Sequence, residues 1–157
     1  MSEYLDKIIC NLNAIETQEA EALSEATKKV AEVIENGGLI FTFGCGHSHL
    51  PGLDAFYRAG GLANVSPMLD TDLMLHNGAA KSSRMEKMSG IAYEIFRRYT
   101  PTEKDMIFIF SASGKNTVPI EMADVAKKFG VKSVGISSME YVSKGGKLHE
   151  HVDISID

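Results

Sequence analysis

Residues 106–118, MIFIFSASGKNTV, decide the fold of this chain. The first five, Met106–Phe110, are apolar at every position, which is typical of a strand buried on both faces of a parallel sheet. A glycine among short polar residues at 111–116 then predicts a tight turn. A helix is predicted from about Val118 to Phe129, ending at Gly130. Strand, turn and helix in this order are the repeating unit of an α/β fold.

The same unit recurs on both sides of this stretch. Residues 1–36 are predicted to be helical up to Asn36-Gly37-Gly38, and residues 37–157 to form the α/β core of a single domain. Alternating strands and helices imply parallel pairing with right-handed crossovers. We therefore predict a doubly wound, three-layer α/β/α sandwich around a five-stranded parallel sheet. The remaining predicted strands are 39–43, 63–68, 133–136 and 152–156, with helices at about 53–59 and 89–99 and an ordered loop at 70–83.

Composition excludes several classes of partner. The chain has 157 residues, a formal net charge of -5 and no block of Lys or Arg, so nucleic acid is not expected to bind. No apolar run approaches the roughly 20 residues that a membrane span needs. The two cysteines, Cys10 and Cys45, lie far apart, and the N-terminus has no signal-peptide pattern, so a reducing, cytoplasmic location is expected.

Three predicted turns carry the residues that suit an anion. Parallel strands present their carboxyl ends at one edge of the sheet, where ligands of such folds bind. Glycines allow close backbone approach, and hydroxyls together with helix-start amides can surround phosphate oxygens. A tight strand-to-helix turn and ordinary helix capping are the plainer alternatives. The candidate binding residues are Gly44, Gly46 and Ser48 in the first turn, Ser111, Ser113, Gly114, Asn116 and Thr117 in the second, and Ser137 and Ser138 in the third.

These turns resemble the phosphate loops of SIS (sugar isomerase) domains: GCGHS at 44–48, FSASGKN at 110–116 and GISS at 135–138. LDTDLMLHNGAAKSS at 69–83 and SMEY at 138–141 resemble an uncharacterised bacterial subfamily of phosphosugar isomerase-like proteins. The resemblance implies a phosphorylated sugar held by Ser48, Ser111 and Ser113, with Asn116 or Thr117 completing the site. It also implies a homodimer or homotetramer. Two departures are the Asn116 that stands where SIS loops usually carry Ser or Thr, and a chain that is short after its last strand.

Aldose–ketose isomerisation needs a base that moves a proton between adjacent carbons and an acid that serves the oxygens. The first candidates are His76, Glu121 and His47, and each has an ordinary structural role as the alternative. His49, Glu86 and Glu140 are further candidates. The pairs His47/His49 and His149/His151 lack a third ligand with recognised metal-binding spacing, so no metal or other cofactor is predicted, although some SIS isomerases use zinc.

Three functions are compatible with the sequence. The first is a phosphosugar (aldose–ketose) isomerase. The second is a non-catalytic phosphosugar-binding module that acts as a sensor or regulator, and the third is an amino-sugar phosphate lyase or etherase. The apolar positions of the N-terminal helix exceed what one domain can cover, which favours self-association.

Overall fold

The computed structural model describes residues 2–157 and contains a five-stranded parallel sheet with the strand order β2-β1-β3-β4-β5. Every neighbouring pair is parallel, as the alternation of strands and helices predicts. The predicted fold class is therefore confirmed. The strands are β1 Ile40–Gly44, β2 Val65–Pro67, β3 Met106–Phe110, β4 Lys132–Ile136 and β5 Ile154–Ile156.

Helices cover both faces of the sheet. They are α1 Glu3–Gln18, α2 Ala20–Glu35, α3 Leu50–Ala55, α4 Ala79–Met85, α5 Ile91–Tyr99, α6 Thr117–Lys128 and α7 Leu148–His151. Alternate side chains of β1 and β3 point to opposite faces. Phe41 and Ile107 pack with α5 and α6, whereas Ile40 and Met106 pack with α2. Each face of the sheet therefore packs against its own apolar core, and for this reason apolar and polar residues do not alternate along β1 and β3.

The register of the sheet places three strand ends side by side. Gly44 of β1 lies opposite Phe110 of β3, and Phe110 lies opposite Ile136 of β4. The residues that follow therefore leave the sheet at the same edge and at the same level. We call this the carboxyl edge.

Some element boundaries differ from the sequence expectation. Residues 70–83 are not only a loop, because α4 occupies Ala79–Met85 after short 3-10 turns at 71–73 and 75–77. The helix expected at about 53–59 lies at 50–55, with Pro51 in its first turn. It ends early because the backbone is extended at Phe56 and Tyr57 then has a positive φ of 52°. Along residues 2–157, no helix is long and apolar enough to cross a bilayer.

Candidate functional site

The first turn folds back tightly onto the end of β1. A Cβ on Gly44 would lie 2.2 Å from the carbonyl oxygen of Ser48, so a larger residue would force the turn outward. Gly46 has φ +58°, and the N–H of Ser48 donates to the carbonyl of Cys45 at 3.0 Å. The Ser48 side chain is half-buried and makes no hydrogen bond within the described part of the chain. Its hydroxyl is therefore available to a ligand.

The second turn is built around Gly114, which has φ +57°. The N–H of Gly114 donates to the carbonyl of Ser111 at 3.1 Å and approaches its hydroxyl at 3.2 Å, so Ser111 shapes the turn. Ser113 is half-buried, and no other residue of the 2–157 range hydrogen-bonds its hydroxyl. The N-cap of α6 is Asn116, and its side chain does not cap the helix. At the start of α6 the N–H of Val118 already donates to the carbonyl of Glu86 at 3.0 Å, and Pro119 has no N–H, so Thr117 is the first-turn residue whose amide is left for an anion.

The third turn is joined directly to the second. The N–H of Ser138 donates to the carbonyl of Ala112 at 3.1 Å, and the N–H of Ser137 donates to the carbonyl of Ile156 at 3.1 Å. A Cβ on Gly114 would lie 3.5 Å from the Cβ of Ser137, which shows how closely the two turns pack. The three turns that the sequence singles out therefore share the carboxyl edge. Binding of phosphate by Gly44, Gly46, Ser48, Ser111, Ser113, Gly114, Asn116, Thr117, Ser137 and Ser138 stays a prediction.

Three histidines lie at or near the first turn. His47 is exposed on the turn itself, whereas His49 is buried and its Nδ1 contacts the carbonyl of Gly46. The ring centroids of His49 and His76 are 6.4 Å apart, with the rings edge to face. His76 is exposed, so two imidazoles, His47 and His76, are accessible here. Their catalytic roles stay predictions.

The structure gives Glu121 hydrogen bonds away from the turns. Its carboxylate accepts from the Ser89 hydroxyl and, at 2.8 Å, from the N–H of Gly90. Gly90 is the N-cap residue of α5, so Glu121 satisfies the start of that helix. A catalytic role for Glu121 stays a prediction. It would require Glu121 to serve the reaction while held by these two donors.

Glu86 lies at the end of α4, between the first and second turns. Burial raises the pKa of its carboxyl above the usual glutamate value, and the neighbouring Asn116 side chain and the charge of Lys87 oppose this rise. Burial also raises the pKa of the Cys45 thiol, and the negative charges of Glu86 and then Asp70 raise it further. The thiol is therefore protonated at neutral pH, which does not support the sequence-level alternative of a reactive cysteine.

Two histidine pairs, His47/His49 and His149/His151, raise the question of a metal site. Within residues 2–157 no three His, Cys, Asp or Glu side chains form a group that could hold a metal ion. In the second pair, the Nδ1 of His151 lies 2.7 Å from a carboxylate oxygen of Asp124. That the protein works without a cofactor stays a prediction.

The chain is similar to known proteins in sequence and in fold. The family model described as SIS domain matches residues 3–138. A UPF0309 protein from Geobacillus kaustophilus is 40% identical over 164 residues, covering 100% of this chain and 65% of its own length. A UPF0309 protein from Thermoanaerobacter pseudethanolicus is 42% identical, covering 99% of this chain and 66% of its own length. The chain thus spans slightly less than two thirds of these relatives.

Among solved structures, a phosphoheptose isomerase from Francisella tularensis superimposes with a TM-score of 0.58. The match covers 99% of this chain and 84% of the isomerase at 19% sequence identity. At that identity the likeness shows a shared fold.

Proposed function

This chain belongs to the SIS domain family, and on that premise we propose that it binds a phosphorylated sugar at the carboxyl edge and interconverts its aldose and ketose forms. The proposal draws on the likeness in fold to the phosphoheptose isomerase from Francisella tularensis. One observation carries it: strands β1, β3 and β4 end in register, and each is followed by a turn that offers hydroxyls.

The turns suit a phosphate in spite of the net charge of -5. Backbone amides and hydroxyls bind an anion without a cationic side chain, and the positive end of the α6 dipole adds to the attraction. Ser48 and Ser113 approach the edge from different strands, and both hydroxyls are unused by the protein within the described residues. We assign the phosphate to these two serines, with Ser111 holding the second turn in shape.

The sugar chain would extend from the phosphate toward groups that can transfer protons. Isomerisation moves a proton between the carbonyl carbon and its neighbour through an enediol, and imidazole suits the acid that serves the oxygens. His47 and His76 are accessible beside the first turn. We propose them as the candidates for that acid.

The test combines binding and turnover on a panel of phosphorylated aldoses and ketoses. Binding is measured by calorimetry, and isomerisation by product analysis. Ser48→Ala and Ser113→Ala each remove a hydrogen bond to a charged ligand worth about 1.5–3 kcal/mol, so the Kd is expected to rise about 10- to 150-fold. Ser24→Ala, on the exposed side of α2, serves as the control and should bind like the wild type.

The outcomes separate the candidate functions. Binding with isomerisation supports the proposal, and binding without turnover would make the chain a phosphosugar-binding module. Release of a group from an amino-sugar phosphate would indicate a lyase or etherase. Wild-type affinity in both serine variants would contradict the assignment of the turns. A cytoplasmic location stays a prediction from the sequence.

We also propose that the chain forms a homodimer or homotetramer through α1. None of the residues of α1 is buried, and the helix packs against α2. Apolar side chains therefore remain exposed along it, with Leu12 at 60% and Tyr4 at 71%. A second copy of the helix would cover this stripe, as amphipathic helices pair through their apolar faces.

A charge in the stripe tests the interface. Leu12→Glu is expected to shift the mass from an oligomer to a monomer in light scattering at micromolar concentration. Cys10 is also exposed but lies two residues away, almost on the opposite side of the helix. Cys10→Glu should therefore leave the mass unchanged. A monomeric wild type would contradict this part of the proposal.

A further inference from the structure

We propose that Glu86 is the carboxylate that carries the proton between the two carbons of the bound sugar. This inference rests on the proposed isomerase function and names a residue for it. The backbone carbonyl of Glu86 accepts from the N–H of Val118 at 3.0 Å, and its own N–H donates to Ser82 at 3.0 Å. The end of α4 is thereby fixed beside the first turn of α6.

The surroundings of the carboxylate link it to both phosphate turns. The Asn116 side chain, from the second turn, lies beside the Glu86 carboxylate. The negative charge of Glu86 in turn acts on the thiol of Cys45, from the first turn. Glu86 is partly buried, so its carboxyl is shielded from solvent without being closed off. Since groups of both turns act on this carboxylate or are acted on by it, we place the sugar attached to a bound phosphate beside Glu86.

The other acidic side chains of the region are already held by partners. Asp70 pairs with Arg98 at 3.3 Å, Asp72 with Lys81 at 2.7 Å and Glu140 with Lys144 at 3.0 Å. Glu121 accepts from two donors at the start of α5. By contrast, within residues 2–157 Glu86 forms no ion pair. Its carboxylate meets the neutral side chain of Asn116 and the charge of the adjacent Lys87, so it can accept and return a proton without breaking an ion pair.

The proton balance of the step is simple. The Glu86 carboxylate removes the proton from C2 of the aldose, and the electrons of that C–H bond form the C1=C2 bond. The carbonyl electron pair moves to O1, which takes a proton from an imidazolium or from water. In the second half O2 gives its proton to the imidazole or hydroxide that the first half left, C2=O2 forms, and the Glu86 carboxyl returns its proton to C1. Nothing is oxidised or reduced overall, and the carboxylate is regenerated.

Partial burial suits this role. A carboxyl whose pKa lies above the usual value is a stronger base once ionised, which improves proton abstraction near neutral pH. Burial outweighs the favourable interactions of the Glu86 carboxylate with Asn116 and Lys87, so a neutral amide at position 86 removes a net cost of keeping a charge there. Glu86→Gln is therefore expected to fold with a Tm equal to or above that of the wild type.

The experiment compares Glu86→Gln and Glu86→Asp with Glu103→Gln, an exposed glutamate before β3 at the opposite edge of the sheet. Turnover and deuterium uptake from D₂O into C1 and C2 are measured with the sugar phosphate that the wild type converts. We expect Glu86→Gln to lower kcat at least 100-fold, to abolish deuterium uptake and to leave the KM within about twofold. Glu86→Asp should retain part of kcat, and Glu103→Gln all of it.

The failures are distinguishable. Conversion by the wild type and equally fast conversion and exchange by Glu86→Gln would overturn the role of Glu86 alone. Loss of turnover in Glu121→Gln but not in Glu86→Gln would do the same. A wild type that converts no sugar phosphate of the panel overturns the isomerase proposal and the role of Glu86 with it.

Discussion

Gly114→Ala tests whether the second turn is built as its geometry indicates. Gly114 has φ +57°, and a side chain in this left-handed region costs about 1–2 kcal/mol. Its Cβ would also lie 3.2 Å from the Cβ of the fully buried Leu148. Because Leu148 is fully buried, it cannot move away freely, and overpacking of this kind costs about 1–3 kcal/mol. The two contributions together predict a loss of about 2–5 kcal/mol.

The matched control is Gly60→Ala. Gly60 has φ +77°, and a Cβ there would meet no atom within 4 Å, so this variant isolates the conformational cost. For a chain of this size, 1 kcal/mol lowers the Tm by about 2–4 °C. We therefore expect a loss of about 2–8 °C for Gly60→Ala and of about 4–20 °C for Gly114→Ala.

Thermal unfolding with and without a phosphosugar is the assay. Gly114→Ala moves Ser113 relative to the other turns, so the ligand should stabilise it less than it stabilises the wild type and Gly60→Ala. The reasoning would be refuted if Gly114→Ala were no less stable than Gly60→Ala and gained as much stability from the ligand.

Three further predictions follow from the described contacts. In the native protein a thiol reagent should label the exposed Cys10 but not the buried Cys45, whose pKa is raised by burial; labelling of both before unfolding would contradict this. Asp105→Ala should lower the free energy of unfolding, measured in urea, by about 2–4 kcal/mol. The reason is that the buried Asp105 carboxylate accepts from the N–H of Leu39 at 2.7 Å and from the N–H of Thr102 at 2.6 Å. A loss below about 0.5 kcal/mol would contradict this prediction. Although burial opposes ionisation of Asp153, hydrogen bonds from Ser133 and Lys132 hold its pKa below the usual value. The stability that the ionised carboxylate contributes is therefore complete above the unfolded pKa of about 3.9 and is lost as the pH falls below that value. Asp153→Asn should flatten this part of the stability–pH curve, and an unchanged slope would count against the effect.

The sheet could be predicted from the sequence because its strands are buried on both faces. Such strands are continuous apolar runs, and Met106–Phe110 is the clearest example. The turns could also be predicted, because glycine and serine directly after a buried strand are typical of a tight turn. The relative placement of the turns then follows from parallel pairing, which brings Gly44 and Ile136 to one edge through β3.

The helix α4 and the surroundings of Glu86 are harder to predict from the sequence. Helix α4 has only seven residues and begins after Gly78, so hydrophobic periodicity is too short to reveal it. Its position depends on tertiary contacts such as the hydrogen bond from the Ser82 hydroxyl to the carbonyl of Leu73. Glu86 and Glu121 look alike in sequence, and only the packing of α5 against α6 shows that the start of α5 holds one of them.

A crystal structure with a sugar phosphate that the protein binds tests the central claim most directly. The account predicts the phosphate within hydrogen-bonding distance of the Ser48 and Ser113 hydroxyls, with the carbon chain passing Glu86. A phosphate bound away from the carboxyl edge, or in contact with just one of the three turns, would contradict it.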